Sequence, residues 1–120
     1  MKTQLITLYG IPNCDTVKKA RAWLGAQGLD YQFHDFKKQG VPAPALDAWI
    51  KALGWEPLVN RRGTSWRRLD DATRAGVTDA ASARALMLAQ ASVIKRPVVE
   101  WTNGEVSVGF DAQAWRSRVS

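Results

Sequence analysis

The chain has 120 residues, of which 46% are hydrophobic and 23% charged. That is the balance of one soluble globular domain, spanning 1–120 and long enough to close a hydrophobic core. No apolar run approaches the roughly 18 residues of a membrane span. One cysteine excludes an intramolecular disulfide, and one cysteine with one histidine (His34) is too few for a zinc shell without carboxylates, so no metal site is expected.

The opening decapeptide MKTQLITLYG alternates like a strand and lacks the composition of a secretion signal, so a cytoplasmic protein is expected. The net charge of +6 suits anionic partners, either a small acidic thiol or an oxyanion. No recognition-helix or RNA-binding signature accompanies it, which makes nucleic acid an unlikely partner.

Gln4–Tyr9 reads as the first strand, broken by Gly10-Ile11-Pro12-Asn13. From Cys14 the period becomes helical, with Val17, Ala20, Trp23 and Leu24 on one face and Lys18, Lys19 and Arg21 outside it. Gly28 stops that helix, and a strand over Tyr31–Phe36 follows after a short link, as in a parallel βαβ unit.

Leu46, Trp49, Ile50 and Leu53 then mark an amphipathic helix ended by Gly54, and Thr64–Asp71 reads as a short helix carrying Trp66 and Leu69. Another helix is expected from about Thr78, capped by that hydroxyl, through Ala85, Leu86 and Ala89. Arg96-Pro97 opens a strand Val98–Trp101, and Asn103-Gly104 turns the chain into a strand Glu105–Val108, a strong hairpin signal. Asp111 is placed to cap a last helix holding Ala114, Trp115 and Val119. The six tryptophans fall mostly within the helical patterns, where they suit packing.

Cys14 follows a strand and a Gly/Pro loop and opens a helix. Free N–H groups and the helix dipole there favour an anion, and the thiolate is the form that attacks. Lys18 and Lys19 lie one turn further on, while Asp15 works against them by placing a charge of the thiolate's own sign nearby. Arg61-Arg62 occupies a loop, and Arg96 precedes Pro97 at a bond compatible with the cis form. Guanidinium forks suit carboxylates and oxyanions.

The stretches LYGIPNCDTVKKARAWL, LVNRRGTSWRRL, IKRPVV and VGF resemble the arsenate reductase-like (ArsC) family, nearest its YffB branch, with the Spx regulators as a further branch. The resemblance implies an α/β thioredoxin-like fold: a mixed four-stranded sheet with a helical insertion, about 43–92, between its βαβ and ββα halves. It also implies a nucleophile at Cys14 and anion-binding arginines at Arg96 and Arg62, or Arg61 if the alignment shifts by one. Pro97 would be the fold's cis-proline, beside which the glutathione backbone is usually held.

The chain departs from arsenate reductases of this family, which carry a third arginine shortly after the hairpin. Here Glu105–Phe110 holds none, and the next is Arg116. It departs from the Cys-x-x-Cys of Spx regulators too, since Val17 stands three after Cys14.

The resulting expectation is a thiol reductase with Cys14 as nucleophile and glutathione as co-substrate, with no tightly bound cofactor. Arg62, Arg96 and Arg61, with Lys18 in support, would bind carboxylates or an anionic substrate. Other readings are an Spx-like protein that docks on a protein partner and, less well supported, an oxyanion reductase.

Overall fold

The computed structural model describes residues 5–119. Their contacts separate into a sheet unit, formed by residues up to Lys38 and from Arg96 onward, and a helical unit, Gln39–Lys95.

In the sheet unit β1 (Ile6–Gly10) leads through a four-residue loop to α1 (Asp15–Ala26), which ends before β2 (Tyr31–Asp35). Phe36–Gln39 forms a single helical turn, α2, leading out of the unit. The chain returns in β3 (Val98–Glu100), β4 (Val106–Val108) and a last helix, numbered α7 in chain order (Ala112–Val119).

The strand order is β2-β1-β3-β4. β1 and β2 run parallel, with Ile6 opposite Tyr31, as a βα crossover requires. β3 is antiparallel to β1, with Tyr9 opposite Val98, and β4 is antiparallel to β3. Ile6, Leu8, Val99 and Trp101 pack with Val17, Ala20 and Leu24 of α1 and with Trp115 of α7 in one buried cluster. Trp115 is met edge-on by Trp101 at 4.9 Å and by Phe110 at 4.8 Å, the geometry that aromatic quadrupoles prefer.

Tyr9 belongs to the alternate register of β1. Its hydroxyl donates to Glu100 Oε1 at 2.9 Å, and its ring lies against His34 and Phe36. Burial chiefly, then the Glu100 hydrogen bond and charge, pushes the Tyr9 phenol far above its ordinary value.

The helical unit holds α3 (Ala43–Leu53), α4 (Thr64–Arg67), α5 (Asp71–Ala75) and α6 (Ala80–Ala89), with 3-10 turns at Glu56–Leu58 and Ala91–Val93. α3 packs on α6, and Arg84 donates to Asp47 across them at 2.6 Å. Its buried residues include Leu46, Trp49, Leu58, Met87, Val93 and Ile94.

The expected mixed four-stranded α/β sheet is present, and several boundaries differ in detail. β1 starts at Ile6, and Gln4 lies outside the described residues. β2 ends at Asp35, because Asp35 Oδ1 accepts the Lys37 N–H at 2.8 Å and turns the backbone into α2. The expected helix Thr64–Asp71 is two helices, since Asp70 takes an extended backbone and caps α5 through the Thr73 N–H.

The cap of α6 is Asp79 rather than Thr78: Asp79 accepts from Ser82 N–H, and the Ser82 hydroxyl reaches back to the Asp79 N–H. A carboxylate facing the positive end of a helix outdoes a hydroxyl one position earlier. Asp111 caps the last helix as its position suggested, accepting from Gln113 and Ala114.

Candidate functional site

β1 ends at Gly10, and its tightness there is set by α1. A Cβ built on Gly10 would stand 2.8 Å from Cγ2 of Val17, so only glycine lets the helix seat so closely. Pro12 and Asn13 make the turn, and Cys14 becomes the N-cap of α1 with φ −121° and ψ 125°. The Cys14 carbonyl accepts the Lys18 N–H at 2.9 Å, closing the first turn.

The Cys14 side chain makes no capping hydrogen bond. It is half-buried, its apolar side packed against the core cluster. The first N–H groups of α1, which have no intrahelical acceptor, put a partial positive charge at this end of the helix. Lys18 and Lys19 are exposed, as is Asp15.

The β1–β3 register fixes what else lies at this end of the sheet. Tyr9 opposite Val98 carries Gly10 on toward Pro97, which immediately precedes β3. The Arg96–Pro97 bond is cis, and the Pro97 carbonyl accepts the Gly109 N–H at 2.8 Å. Arg96 is half-buried with its Nε shielded from solvent. Cys14, Arg96 and Pro97 therefore share the end of the sheet at which β1 finishes and β3 begins, with Lys18 one turn along the helix from the thiol.

Arg61 and Arg62 belong to the helical unit. The backbone before them is clamped: Asn60 N–H donates to Val93 at 2.8 Å, Lys95 N–H donates to Leu58 at 2.7 Å, and Val59 bridges Ile94. The Asn60 side chain then accepts the Arg62 N–H at 3.2 Å. Arg67 donates to the Arg62 carbonyl at 2.6 Å, so one arginine of the RRGTSWRR run holds another's backbone in place. The Arg61 guanidinium lies 5.4 Å from the Trp55 ring centre and 3.7 Å from Glu56.

Arg61 and Arg62 line a cleft of about 380 Å3 with Asn60, Val59, Glu56 and Lys95. Sequence reasoning did not single out Lys95 or Asn60. Lys95 looks like any exposed lysine until the Val59–Ile94 bridge sets it opposite the arginine loop.

Among the described residues no group of three or more histidine, cysteine or carboxylate side chains could hold a metal, and no helix is long and apolar enough to cross a membrane.

Comparison with known proteins places the chain. Residues 9–117 match the model of the ArsC family. The chain belongs to the ArsC family. A solved structure named YFFB protein is 45% identical, with a TM-score of 0.90 over 96% of this chain and 99% of its own. An arsenate reductase (ArsC) related protein from Brucella melitensis is 50% identical, with a TM-score of 0.75 over 98% and 96%. The global transcriptional regulator Spx of Streptococcus pyogenes is 24% identical over 97% of this chain and 86% of its own. The fold of this ArsC-family chain is thus thioredoxin-like, and its relatives include both arsenate reductase-like proteins and Spx regulators.

Proposed function

We propose that this chain is a glutathione-dependent thiol reductase that works through Cys14 alone. The observation that carries the reading is the placement of the chain's one cysteine: half-buried, uncommitted to a cap hydrogen bond, and at the first turn of a twelve-residue helix. The Cys14 thiolate attacks the glutathionyl sulfur of a mixed disulfide, its S–S bond breaks, and the substrate leaves as a thiolate that takes a proton. A second glutathione thiolate attacks the sulfur now bonded to Cys14, so oxidised glutathione departs and Cys14 is regenerated. One substrate disulfide is reduced and two glutathione sulfurs end joined, so electrons balance. Val17 in place of a second cysteine leaves the resolving step to a thiol from outside.

Arg96 at the sheet end, and Arg62 with Arg61 in the helical unit, are the cations assigned to carboxylates. Lys18 supports the anion at Cys14, and Pro97 offers its backbone edge to the glutathione peptide. Incubation with oxidised glutathione should add one glutathionyl group, located on Cys14 by mass spectrometry, and Cys14→Ser should abolish both adduct and turnover. An unmodified Cys14 sinks the proposal.

The likeness to Spx supports a second reading, a regulator that docks on a protein partner with little use of the thiol. Partner binding that survives Cys14→Ser, with no glutathione turnover in the parent protein, would favour it. Reduction of an oxyanion has weaker support, because Glu105–Phe110 lacks the arginine that such chemistry uses in this family.

A further inference from the structure

We infer that the outer edge of β2 pairs with the same edge of a second copy of this chain, in antiparallel register about a twofold axis. In the order β2-β1-β3-β4, β2 ends the sheet, and β1 is its only ladder partner among the described residues. A terminal strand turns the N–H and C=O groups of alternate residues away from its neighbour, where they can take another strand.

Folded chains usually blunt such an edge, and the two edges of this sheet differ in that respect. β4 is three residues long and lies between Gly104 and Gly109, both at positive φ, and Glu105 beside it holds Arg118 at 2.8 Å. β2 has five residues, YQFHD, with no proline, lysine or glycine. Its ladder with β1 runs without a bulge from Ile6 opposite Tyr31 to Gly10 opposite Asp35. Its one carboxylate, Asp35, stands at the far end and is turned to the Lys37 N–H. Length and the lack of a blocking residue make β2 the edge that can extend the sheet.

The side chains of β2 are also held in place. Arg21 of α1 donates through Nε to the Tyr31 hydroxyl at 3.0 Å, and its guanidinium lies 4.1 Å from the Phe33 ring centre. On the other face the His34 ring stands 4.9 Å from Tyr9 and 5.9 Å from Phe36. A strand already ordered on both faces loses less entropy when a partner strand joins it.

Charge selects a second copy as that partner. Exposed Asp30 precedes the strand, and exposed Lys37 and Lys38 follow it. Antiparallel pairing sets Asp30 of each copy at the end where Lys37 and Lys38 of the other emerge, so two opposite-charge contacts form at once. Parallel pairing would set like charges together. Two five-residue strands bury less than the roughly 1,200 Å2 of a standard interface, and each chain carries +6, so the dimer is weak and reversible. The pairing uses neither Cys14 nor Pro97 and stands apart from the reductase reading.

The test is sedimentation equilibrium of the full chain from about 10 µM to about 1 mM, with a reductant present so that Cys14 cannot link copies. The weight-average mass should rise from one chain toward two. Amides of Tyr31–Asp35 that exchange fast in dilute protein should gain hydrogen-exchange protection at the highest concentration. Asp30→Lys should weaken self-association roughly fivefold or more, and Asp30→Lys with Lys37→Glu, which keeps the net charge, should recover most of it. Glu56→Lys, which adds the same charge in the helical unit, should weaken it less than Asp30→Lys. A single-chain mass at every concentration overturns the proposal. So does a dimer that Asp30→Lys weakens no more than Glu56→Lys, or one that forms with no added protection in β2, since either result places the contact on another face.

Discussion

Gly10 and Val17 are fitted to each other: the space a methyl group would take on Gly10 is already filled by Cγ2 of Val17, 2.8 Å away. Val17 is fully buried in the core and stiff about χ1, so it cannot swing aside. Removing a glycine from a strand gains up to about 1 kcal/mol through the unfolded chain, while overpacking a core costs about 1–3 kcal/mol. The clash wins. Gly10→Ala should lower stability in urea unfolding and, by pushing α1 off β1, slow glutathionylation of Cys14. Gly10→Ala with Val17→Ala, which frees the space, should recover part of the thiol reactivity.

Tyr9 makes stability sensitive to alkali. Its phenol is raised above the ordinary value of about 10 by burial and by Glu100, so the folded protein resists ionising it while the unfolded chain does not. The contribution is complete below about pH 10 and is lost as pH rises beyond that. Urea midpoints of the parent protein should therefore fall faster between pH 9 and 11 than those of Tyr9→Phe. Parallel curves would show that the Glu100 contact does not govern the titration.

Two helix caps set the response to acid. Hydrogen bonds from Thr73 hold the Asp70 carboxyl below its ordinary range, and the Ser82 N–H, then its hydroxyl, do the same for Asp79. Depressed carboxyls stabilise above the unfolded value of 3.8, and that stabilisation is lost as pH falls through the folded values. Replacing both by Ala should lower Tm clearly at pH 7 and hardly at all at pH 2. A deficit equal at both pH values would assign it to something other than the carboxylates.

Trp115 is the largest side chain shared by α7 and the sheet and is only 2% exposed. Trp115→Ala removes edge contacts with Trp101, Phe110 and Trp23 together. The expected cost is about 3–5 kcal/mol, measured by urea unfolding. A loss under 1 kcal/mol, far below that scale, would mean that the last helix is not part of the core.

Much of the sheet unit was legible because its signals are local. The Val17, Ala20, Leu24 stripe, the Asn103-Gly104 turn and the Asp111 cap each report on residues within one element. The Cys14 position was readable for the same reason, since a strand, a Gly/Pro loop and a helix start lie next to it in sequence. The Lys95 cleft was not, because Asn60 and Lys95 are joined by backbone bonds to distant partners that no periodicity announces. The split at Asp70 was missed because Thr64–Asp71 keeps a helical composition, and only the competition between a carboxylate cap and a continuing helix decides it. Arg67 and Arg74 show the converse: their charges suggest binding, and their hydrogen bonds assign them to loop closure.

The Tyr9–Glu100 hydrogen bond joins residues 91 positions apart, and the β1–β3 ladder around it, from Thr7 opposite Glu100 to Tyr9 opposite Val98, spans a similar stretch of chain. Closing so long a segment carries a large entropic cost before any strand pairing offsets it. The stretch Gln39–Lys95 is continuous and rich in local helical bonds, so its folding shortens the span that the sheet must bridge. Registry of β3 is accordingly expected late in assembly, and pulsed hydrogen exchange at the amides of Val98 and Val99 would test it, early protection there overturning the order.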